Sequence, residues 1–343
     1  MSPSFLQEFA EKRSAVQQEC ELVAQEIRGE LESSDISRAA FPFEPLLDQY
    51  TSEHAKRIRG VLFMAGYSLI KGDSTDIGIL RRPSALIELF HSYILGIDDI
   101  QDRAHSRHGL PVTHVALAEQ MQREGVSNAS HYGTAFALDA ILGVQHFASE
   151  QWADLVSFPA ERVRRSSKML HRCLFDTSLG QTLDLLNSLA ENVKPEDIEQ
   201  VMRLKTSRYT VTMPLEVGST LAEASSRELE IIAPYGDAMG IVFQLGDDRQ
   251  TYEPNENGKD KSSDIAEGKK TLMVLEMFQR AGKPDKDFMQ RVLGSGDITK
   301  EDFERFVALA HSLGAYSVVK QQEQAAYEKA VKSLDAFPEH WHQ

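Results

Sequence analysis

Three carboxylates stand together at the end of a helical pattern in residues 86–102, LIELFHSYILGIDDIQD. Apolar residues recur there every three or four positions, which predicts one amphipathic helix. Along the row that steps by four, apolar side chains give way to Asp98 and Asp102, with Asp99 beside them. Carboxylates this close repel each other, and hard oxygen ligands suit Mg²⁺ or Mn²⁺. The segment predicts a divalent-metal site, and a solvated acidic helix end is the alternative.

A second stretch repeats the pattern in residues 235–252, YGDAMGIVFQLGDDRQTY. A four-residue step leads from Phe243 to Asp247, Asp248 adjoins it, and Gln244 lies one turn before Asp248. Two apolar stripes that both end in paired carboxylates are expected to face one cavity. The alternative is that each pair caps its own helix or binds a surface lysine.

A basic cluster precedes the first acidic stretch in residues 54–60, HAKRIRG. Lys56, Arg57 and Arg59 are placed at the start of a predicted helix, where backbone N–H groups and the helix dipole also favour anions. The chain has a net charge of −15, so an anionic substrate needs such a local cluster. A solvated basic face is the alternative.

The two acidic segments resemble the two aspartate-rich motifs of the trans-isoprenyl diphosphate synthases, with IDDIQD as the first and FQLGDD as the second. The similarity runs from about Lys56 to Leu272, with the motifs in family order. It implies an all-α isoprenoid synthase bundle around a central cavity, with the two acidic helices facing each other. It implies condensation of isopentenyl diphosphate with an allylic diphosphate. It also implies Mg²⁺, with Mn²⁺ as a substitute, bound by Asp98, Asp99, Asp102, Asp247 and Asp248.

The resemblance assigns roles to residues that mean little alone. The residues implied to bind substrate are Lys56, Arg59, His91, Arg107, His108, Gln181, Lys205, Lys259 and Lys269. The residues implied in catalysis are Asp98, Asp102, Lys205, Thr206, Gln244 and Asp247. His108 departs from the family pattern, which mostly has a second arginine there, and a histidine lacks arginine's bidentate fork. Thr206 can bend its helix by bonding back to a backbone carbonyl.

Product length depends on what lies beneath the first motif. Tyr93 lies five residues before Asp98, with Ile94 beside it and Phe90 a turn deeper. In the family an aromatic residue at this position accompanies short products, which favours the twenty-carbon geranylgeranyl diphosphate and leaves fifteen-carbon farnesyl diphosphate as the alternative. Ordinary core packing of Tyr93 is the other interpretation.

Departures from the family pattern keep two other functions open. A class I terpene cyclase shares the fold and the first motif, and its second motif matches Asp247, Asp248 and Thr251 but finds Asn255 in place of glutamate. The basic cluster argues against a cyclase, since cyclisation of one substrate needs no second diphosphate site. A non-catalytic regulatory subunit is suggested by His108, by Thr251, where the family usually has aspartate, and by the missing Gly-Gly before Lys56. The intact aspartates argue against that subunit.

Composition narrows the function classes further. With 41% hydrophobic and 26% charged residues, the chain has the makeup of an ordinary globular protein, and its acidity argues against nucleic acid as a partner. Two cysteines suggest no disulfide framework. The N-terminus lacks a signal-peptide core, and no apolar run is long enough to span a bilayer. We expect a soluble cytoplasmic homodimer with an interface in the apolar stretch from Gly133, GTAFALDAILGVQHFA.

Helical periodicity dominates the rest of the chain, without an alternating strand pattern or a fixed repeat. We predict one all-α isoprenoid synthase domain over residues 1–343, with an N-terminal helix and connector in 1–50 and a catalytic helical core in 51–343. Connectors are predicted at 72–83 and 104–111. Helices are predicted at 4–32, 55–69, 86–102, 114–122, 132–152, 162–190, 195–222, 227–250, 270–280 and 300–334.

Overall fold

The structure, a computed structural model, describes residues 3–33, 35, 37–72, 76–107, 109–190, 192–253, 262–296 and 298–341. The regular secondary structure of its described part is helical apart from one hairpin, in which β1 (Ser106–Arg107) pairs antiparallel with β2 (Leu110–Pro111). The prediction of an all-α fold is confirmed, although a loop was predicted where this hairpin lies. The chain forms two compact units, Met1–Lys168 with Pro214–Ala224, and Met169–Met213 with Ser225–Gln343. A single domain over 1–343 stays a prediction.

The first unit is built from helices of very different lengths. They are α1 (Pro3–Ser33), α2 (Glu44–Tyr50), α3 (Ile58–Lys71), α4 (Gly78–Gln101), α5 (Thr113–Arg123), α6 (Ala129–Ala153), the first part of α7 (Ala160–Leu189) and most of α9 (Met213–Leu221), with 3₁₀ turns at Ser37–Ala39 and Phe41–Phe43. Trp152 lies in the core of this unit, and the rings of Phe63 and Phe90 meet it edge-on. Helix α4 packs against α1, α3 and α6, so its apolar stripe is covered.

The second unit contains the rest of α7 and the C-terminal helices. They are α8 (Pro195–Val201), a π-helix (Met202–Thr212), α10 (Ser226–Gln250), α11 (Ser263–Glu267), α12 (Leu272–Arg280), α13 (Lys283–Val292), α14 (Lys300–Ser312) and α15 (Ala315–Ser333), with 3₁₀ turns at Leu334–Ala336 and Glu339–Trp341. Its core gathers around Met273, Met277, Met289 and Phe306, all nearly or fully buried. Helix α10 packs along both α15 and the π-helix.

Helix α4 begins earlier than the sequence predicts. The predicted connector 72–83 ends at residue 77, and Pro83 lies inside the helix. Proline removes one backbone hydrogen bond there. Leu80 is 1% exposed and Pro83 is buried as well, and we infer that this burial offsets the missing bond. The wrong prediction came from treating proline as a helix boundary.

Other boundaries also differ from the prediction. The predicted helix 300–334 is two helices, because Gly314 takes a left-handed conformation with φ of +76° between α14 and α15. The helix predicted from residue 55 starts at Ile58, after Arg57 with φ of +55°. Helices α2, α11 and α13 were not predicted, since five to ten residues carry too little periodicity.

Glycines let the π-helix lie very close to its neighbours within the second unit. A Cβ on Gly240 would meet the Cα of Ser207 at 2.4 Å, and one on Gly236 would meet the Cα of Thr212 at 2.7 Å. A Cβ on Gly180 of α7 would lie 2.5 Å from the backbone nitrogen of Lys205. Larger residues at these three positions would push the π-helix away, so the glycines fix where Lys205 lies.

Candidate active site

The first acidic motif occupies the last turn of α4 and its C-cap residue, Asp102. Asp98 and Asp102 are half-buried, whereas Asp99 is 2% exposed. The backbone N–H of Asp102 donates to the carbonyl of Asp98 at 2.8 Å, which keeps these two residues one turn apart as predicted. The buried apolar face of α4 is therefore followed, at the C-terminal end of the helix, by two accessible carboxylates.

Arg107, which lies on β1, faces this helix end. Its Nε donates to Asp99 Oδ1 at 3.0 Å and its Nη2 donates to the same oxygen at 2.6 Å, while Nη2 lies 3.9 Å from Asp98 Oδ2. Burial raises the pKa of Asp99, and the bonds from Arg107 oppose that shift. The carboxylate of Asp99 is thus directed at Arg107, and its role as a metal ligand stays a prediction. His108 lies outside the described residues.

The basic cluster divides into a buried arginine and two more accessible residues. Arg57 is 3% exposed, and its Nη1 lies 3.7 Å from Glu88 Oε2 while its Nε donates to Gln17 Oε1 at 2.8 Å. Lys56 is exposed, and Arg59 Nη1 lies 3.0 Å from His91 Nε2. The interpretation of the whole cluster as a solvated face is therefore wrong for Arg57.

Glu88 explains why the basic turn has its shape. Its Oε1 accepts the backbone N–H of Gly60 at 2.8 Å, which satisfies one of the first N–H groups of α3. Its other oxygen faces Arg57, the residue in the left-handed conformation. One buried carboxylate thus holds both the turn and the start of the helix that carry Lys56 and Arg59.

The second acidic pair lies in the last turn of α10, in the other unit. Asp247 is exposed, while Asp248 is 8% exposed and accepts a hydrogen bond of 2.5 Å from Gln244 Nε2. Burial raises the pKa of Asp248 to about 8, and the negative charge of Asp264 adds to the shift. Asp264, on α11, thus adds a third carboxylate charge to this region.

Thr251 and Lys269 both contact Asp264. Thr251 Oγ1 donates to Asp264 Oδ2 at 3.3 Å, and Lys269 Nζ donates to Oδ1 at 3.2 Å. Thr251 stands where the family usually has an aspartate. A carboxylate at this position would repel Asp264, whereas the hydroxyl of Thr251 donates a hydrogen bond to it. Lys259 and Asn255 lie outside the described residues.

Asp248 should make the metal-free protein less stable as the pH rises. Its pKa in the folded protein lies above the usual value of 3.8. The contribution of this carboxyl group to the free energy of unfolding is therefore fully present below about pH 4 and is lost as the pH rises through 8. Asp248→Asn removes this loss. Thermal unfolding in a chelator should therefore show an advantage of the variant that grows between pH 5 and pH 9.

The matched control is Asp302→Asn. Arg291 lowers the pKa of Asp302, so this carboxylate is ionised throughout that range and its replacement should shift unfolding by the same amount at each pH. Parallel unfolding curves for Asp248→Asn and the parent protein would contradict the burial effect.

The π-helix and α7 bring three predicted residues into the second unit. Lys205 Nζ donates to Asp184 Oδ2 at 2.7 Å, and Thr206 is half-buried in the π-helix. Gln181 is 8% exposed, and no described residue forms a hydrogen bond with either of its side-chain polar atoms. A buried amide without such bonds is costly, which is typical of a group that meets a ligand or water.

The residues predicted to limit product length differ in burial. Phe90 is fully buried, and its ring centre lies 6.5 Å from that of Trp152. Tyr93 and Ile94 are half-buried one turn closer to the acidic end of α4. Phe90 is thus part of the core of the first unit, and only Tyr93 and Ile94 are partly accessible.

The carboxylate pairs suit a metal–diphosphate complex. Within the described residues, no three carboxylate, histidine or cysteine side chains are gathered closely enough to hold an ion by themselves. Mg²⁺ in proteins commonly binds one or two carboxylates, and substrate phosphates and water complete its shell. Asp98 with Asp102, and Asp247 with Asp248, offer hard oxygens of that kind.

Comparisons with known proteins decide the family. The family model described as polyprenyl synthetase matches residues 42–310. The chain belongs to the polyprenyl synthetase family. This polyprenyl synthetase is a prenyltransferase of the short-chain class, and the match favours that activity over a terpene cyclase.

Relatives and solved structures agree with this family. A short chain isoprenyl diphosphate synthase of Methanothermobacter thermautotrophicus is 28% identical, over 81% of this polyprenyl synthetase and 82% of that protein. A geranylgeranyl diphosphate synthase of Saccharolobus solfataricus is also 28% identical, over 80% and 78%. The crystal structure of geranylgeranyl pyrophosphate synthase from Corynebacterium glutamicum, complexed with isoprenyl diphosphate and magnesium, has a TM-score of 0.84 at 24% identity and covers 97% and 94% of the two chains. At that identity the structure supports the fold alone.

Proposed function

We propose that this polyprenyl synthetase condenses isopentenyl diphosphate with an allylic diphosphate and releases geranylgeranyl diphosphate as its main product. The observation that carries the proposal is the family match over residues 42–310, which includes both acidic helix ends. Relatives named geranylgeranyl diphosphate synthase support the twenty-carbon product. Farnesyl diphosphate stays the alternative, because the half-buried Tyr93 is bulky enough to stop growth earlier.

Two diphosphates require two groups of cations. In the first unit we assign Lys56, Arg59 and His91 to isopentenyl diphosphate, with the Arg59–His91 contact of 3.0 Å holding the guanidinium in place. Arg107, Lys205 and Lys269 are assigned to the allylic diphosphate, with His108 and Lys259 as further candidates. Each of these three cations now contacts a carboxylate, and we expect bound diphosphate to compete with that carboxylate.

The reaction needs no nucleophilic side chain. Bound Mg²⁺ supplies a Lewis acid that stabilises the departing diphosphate. Cleavage of the allylic carbon–oxygen bond leaves a cation and diphosphate, and the double bond of isopentenyl diphosphate attacks the cation. The departing diphosphate then accepts the proton that leaves the new chain. Asp98, Asp102 and Asp247 are assigned to hold the metal, with Asp99 and Asp248 as further ligands, and Gln244 orients Asp248. Thr206 and Gln181 are assigned to the surroundings of the reacting carbons, from which water must be kept away.

Direct binding of isopentenyl diphosphate tests the two-substrate assignment. Calorimetric titration without an allylic substrate should show one site per chain. Arg59→Gln should weaken that site about tenfold or more, because it removes a charge-assisted bond of roughly 1.5–3 kcal/mol. Arg164→Gln, on α7, serves as the control because this exposed arginine pairs with Glu161 on the same helix. Absence of any binding to the parent protein would favour the cyclase.

A homodimer and a cytoplasmic location belong to the same proposal. On α6, the predicted interface stretch exposes Leu138 by 44% and Leu142 by 53%. On α7, Phe175, Leu179 and Leu186 are also exposed, by 44–55%. Exposed apolar side chains at helical spacing are typical of helix–helix interfaces. Among the described residues, no helix is long and apolar enough to cross a membrane.

A further inference from the structure

A cluster of charged and aromatic side chains joins the end of α10 to α15. Arg249 follows Asp248 directly, and one residue turns a helix by about 100°, so its side chain leaves α10 in another direction. Its Nε donates to Glu323 Oε2 at 2.7 Å, and its Nη2 lies 3.5 Å from Glu323 Oε1. The two residues form a forked ion pair between the helices.

The cluster extends to Glu253, which lies three residues after the end of α10. Nη1 of Arg249 also donates to Glu253 and, at 3.0 Å, to Tyr316 Oη, which in turn donates to Glu253 at 2.9 Å. The guanidinium lies 5.9 Å from the centre of the Tyr316 ring. Arg249 therefore links the carboxylates of Glu323 and Glu253 and the phenol of Tyr316.

Glu323 packs beside Gly246 on α10. A Cβ at this position would lie 3.4 Å from Glu323 Oε1, which is an ordinary van der Waals contact. Gly246 adjoins Asp247, so the carboxylate of Glu323 packs against the same turn that carries the acidic pair. The side chains of Arg249 and Glu323 are only 19% and 21% exposed, and an ion pair at that depth resists solvent screening.

We infer that Arg249 is a positioning residue for Asp247 and Asp248. Its bonds to Glu323, Tyr316 and Glu253 fix the last turn of α10 and thereby the directions of the two carboxylates. Without its charge, Glu323 and Glu253 would face each other uncompensated, and the turn would shift. The inference rests on the metal role proposed for the acidic pair.

The test combines metal binding with kinetics. Binding of Mn²⁺ to the protein in the presence of inorganic diphosphate, followed by electron paramagnetic resonance, should weaken severalfold in Arg249→Gln. The Mg²⁺ concentration for half-maximal elongation should rise severalfold, and kcat should fall about tenfold. Arg249→Lys, which keeps the charge but loses the fork, should recover part of both. If Arg249 only stabilised the fold, Arg249→Gln would lower the melting temperature without changing the Mg²⁺ concentration needed for half-maximal elongation.

Three further variants make the result decisive. Glu323→Gln should also weaken Mn²⁺ binding. The double variant with Arg249→Gln and Glu323→Gln should bind Mn²⁺ no more weakly than Arg249→Gln alone, because both substitutions break the same ion pair. Arg291→Gln removes the forked pair with Asp302 between α13 and α14 and should change neither readout. Parent-like Mn²⁺ binding and Mg²⁺ requirement in folded Arg249→Gln would overturn the inference. If that variant does not fold, parent-like values in Glu323→Gln overturn it. Absence of elongation by the parent protein would instead overturn the proposed function.

Discussion

Asp98→Ala should lower kcat for chain elongation by about three orders of magnitude, which corresponds to about 4 kcal/mol of transition-state stabilisation. Asp98 is one of two half-buried carboxylates at the C-terminal end of α4, and its loss leaves Asp102 as the one half-buried carboxylate of the first motif that can meet the metal. The fold should persist, because the change removes a charge from a repelling cluster at a helix C-terminus. Steady-state rates at several Mg²⁺ concentrations, together with the melting temperature, measure both effects.

Asp154→Ala provides a matched control for this variant. Asp154 is an exposed carboxylate at the end of α6, in the same unit, so its removal tests the loss of a charge at a helix C-terminus without the proposed metal role. We expect parent-like kcat from it. Near-normal kcat in Asp98→Ala would refute the assignment of this residue to the metal.

Tyr93→Ala should shift the main product to a longer chain by at least one five-carbon unit. Tyr93 is half-buried, and it lies five residues before Asp98 on the same helix. Truncation to alanine removes the phenol ring, whereas Phe90 beneath it is held in the core against Trp152 and should not move. Product diphosphates made with excess isopentenyl diphosphate and identified by mass spectrometry give the answer.

Tyr327→Ala is the control for a lost phenol. Tyr327 is 48% exposed on α15, and its truncation should leave the product distribution as it is in the parent. If Tyr93→Ala also keeps the parent distribution while remaining active, Tyr93 does not limit growth and Ile94 becomes the residue to vary.

The acidic helix ends could be predicted because they depend on short-range geometry. Asp98 and Asp102 share a face in any α-helix, and the stripe before them is long enough to identify that helix. The same reasoning correctly placed Gln244 one turn before Asp248, where the structure has a hydrogen bond between them. Local periodicity can thus predict contacts within a single helix.

Contacts between distant segments could not be predicted in this way. Arg57 and Glu88 are 31 residues apart, and only the fold makes the arginine a buried partner instead of a surface charge. Asp264 reaches Thr251 across 13 residues, and Glu323 reaches Arg249 across 74. Pro83 shows that a local rule can also fail, because the buried proline lies inside α4 although proline was taken to mark the helix boundary. Tertiary packing decides such cases.

The most direct test of the central claim is incubation of the purified protein with Mg²⁺, isopentenyl diphosphate and, in turn, dimethylallyl, geranyl and farnesyl diphosphate. Mass spectrometry of the products then reads chain length. We expect elongated diphosphates from each primer that the protein accepts, with the twenty-carbon species the longest abundant one. Cyclised hydrocarbon, or no elongation with any of the three primers, would contradict the account.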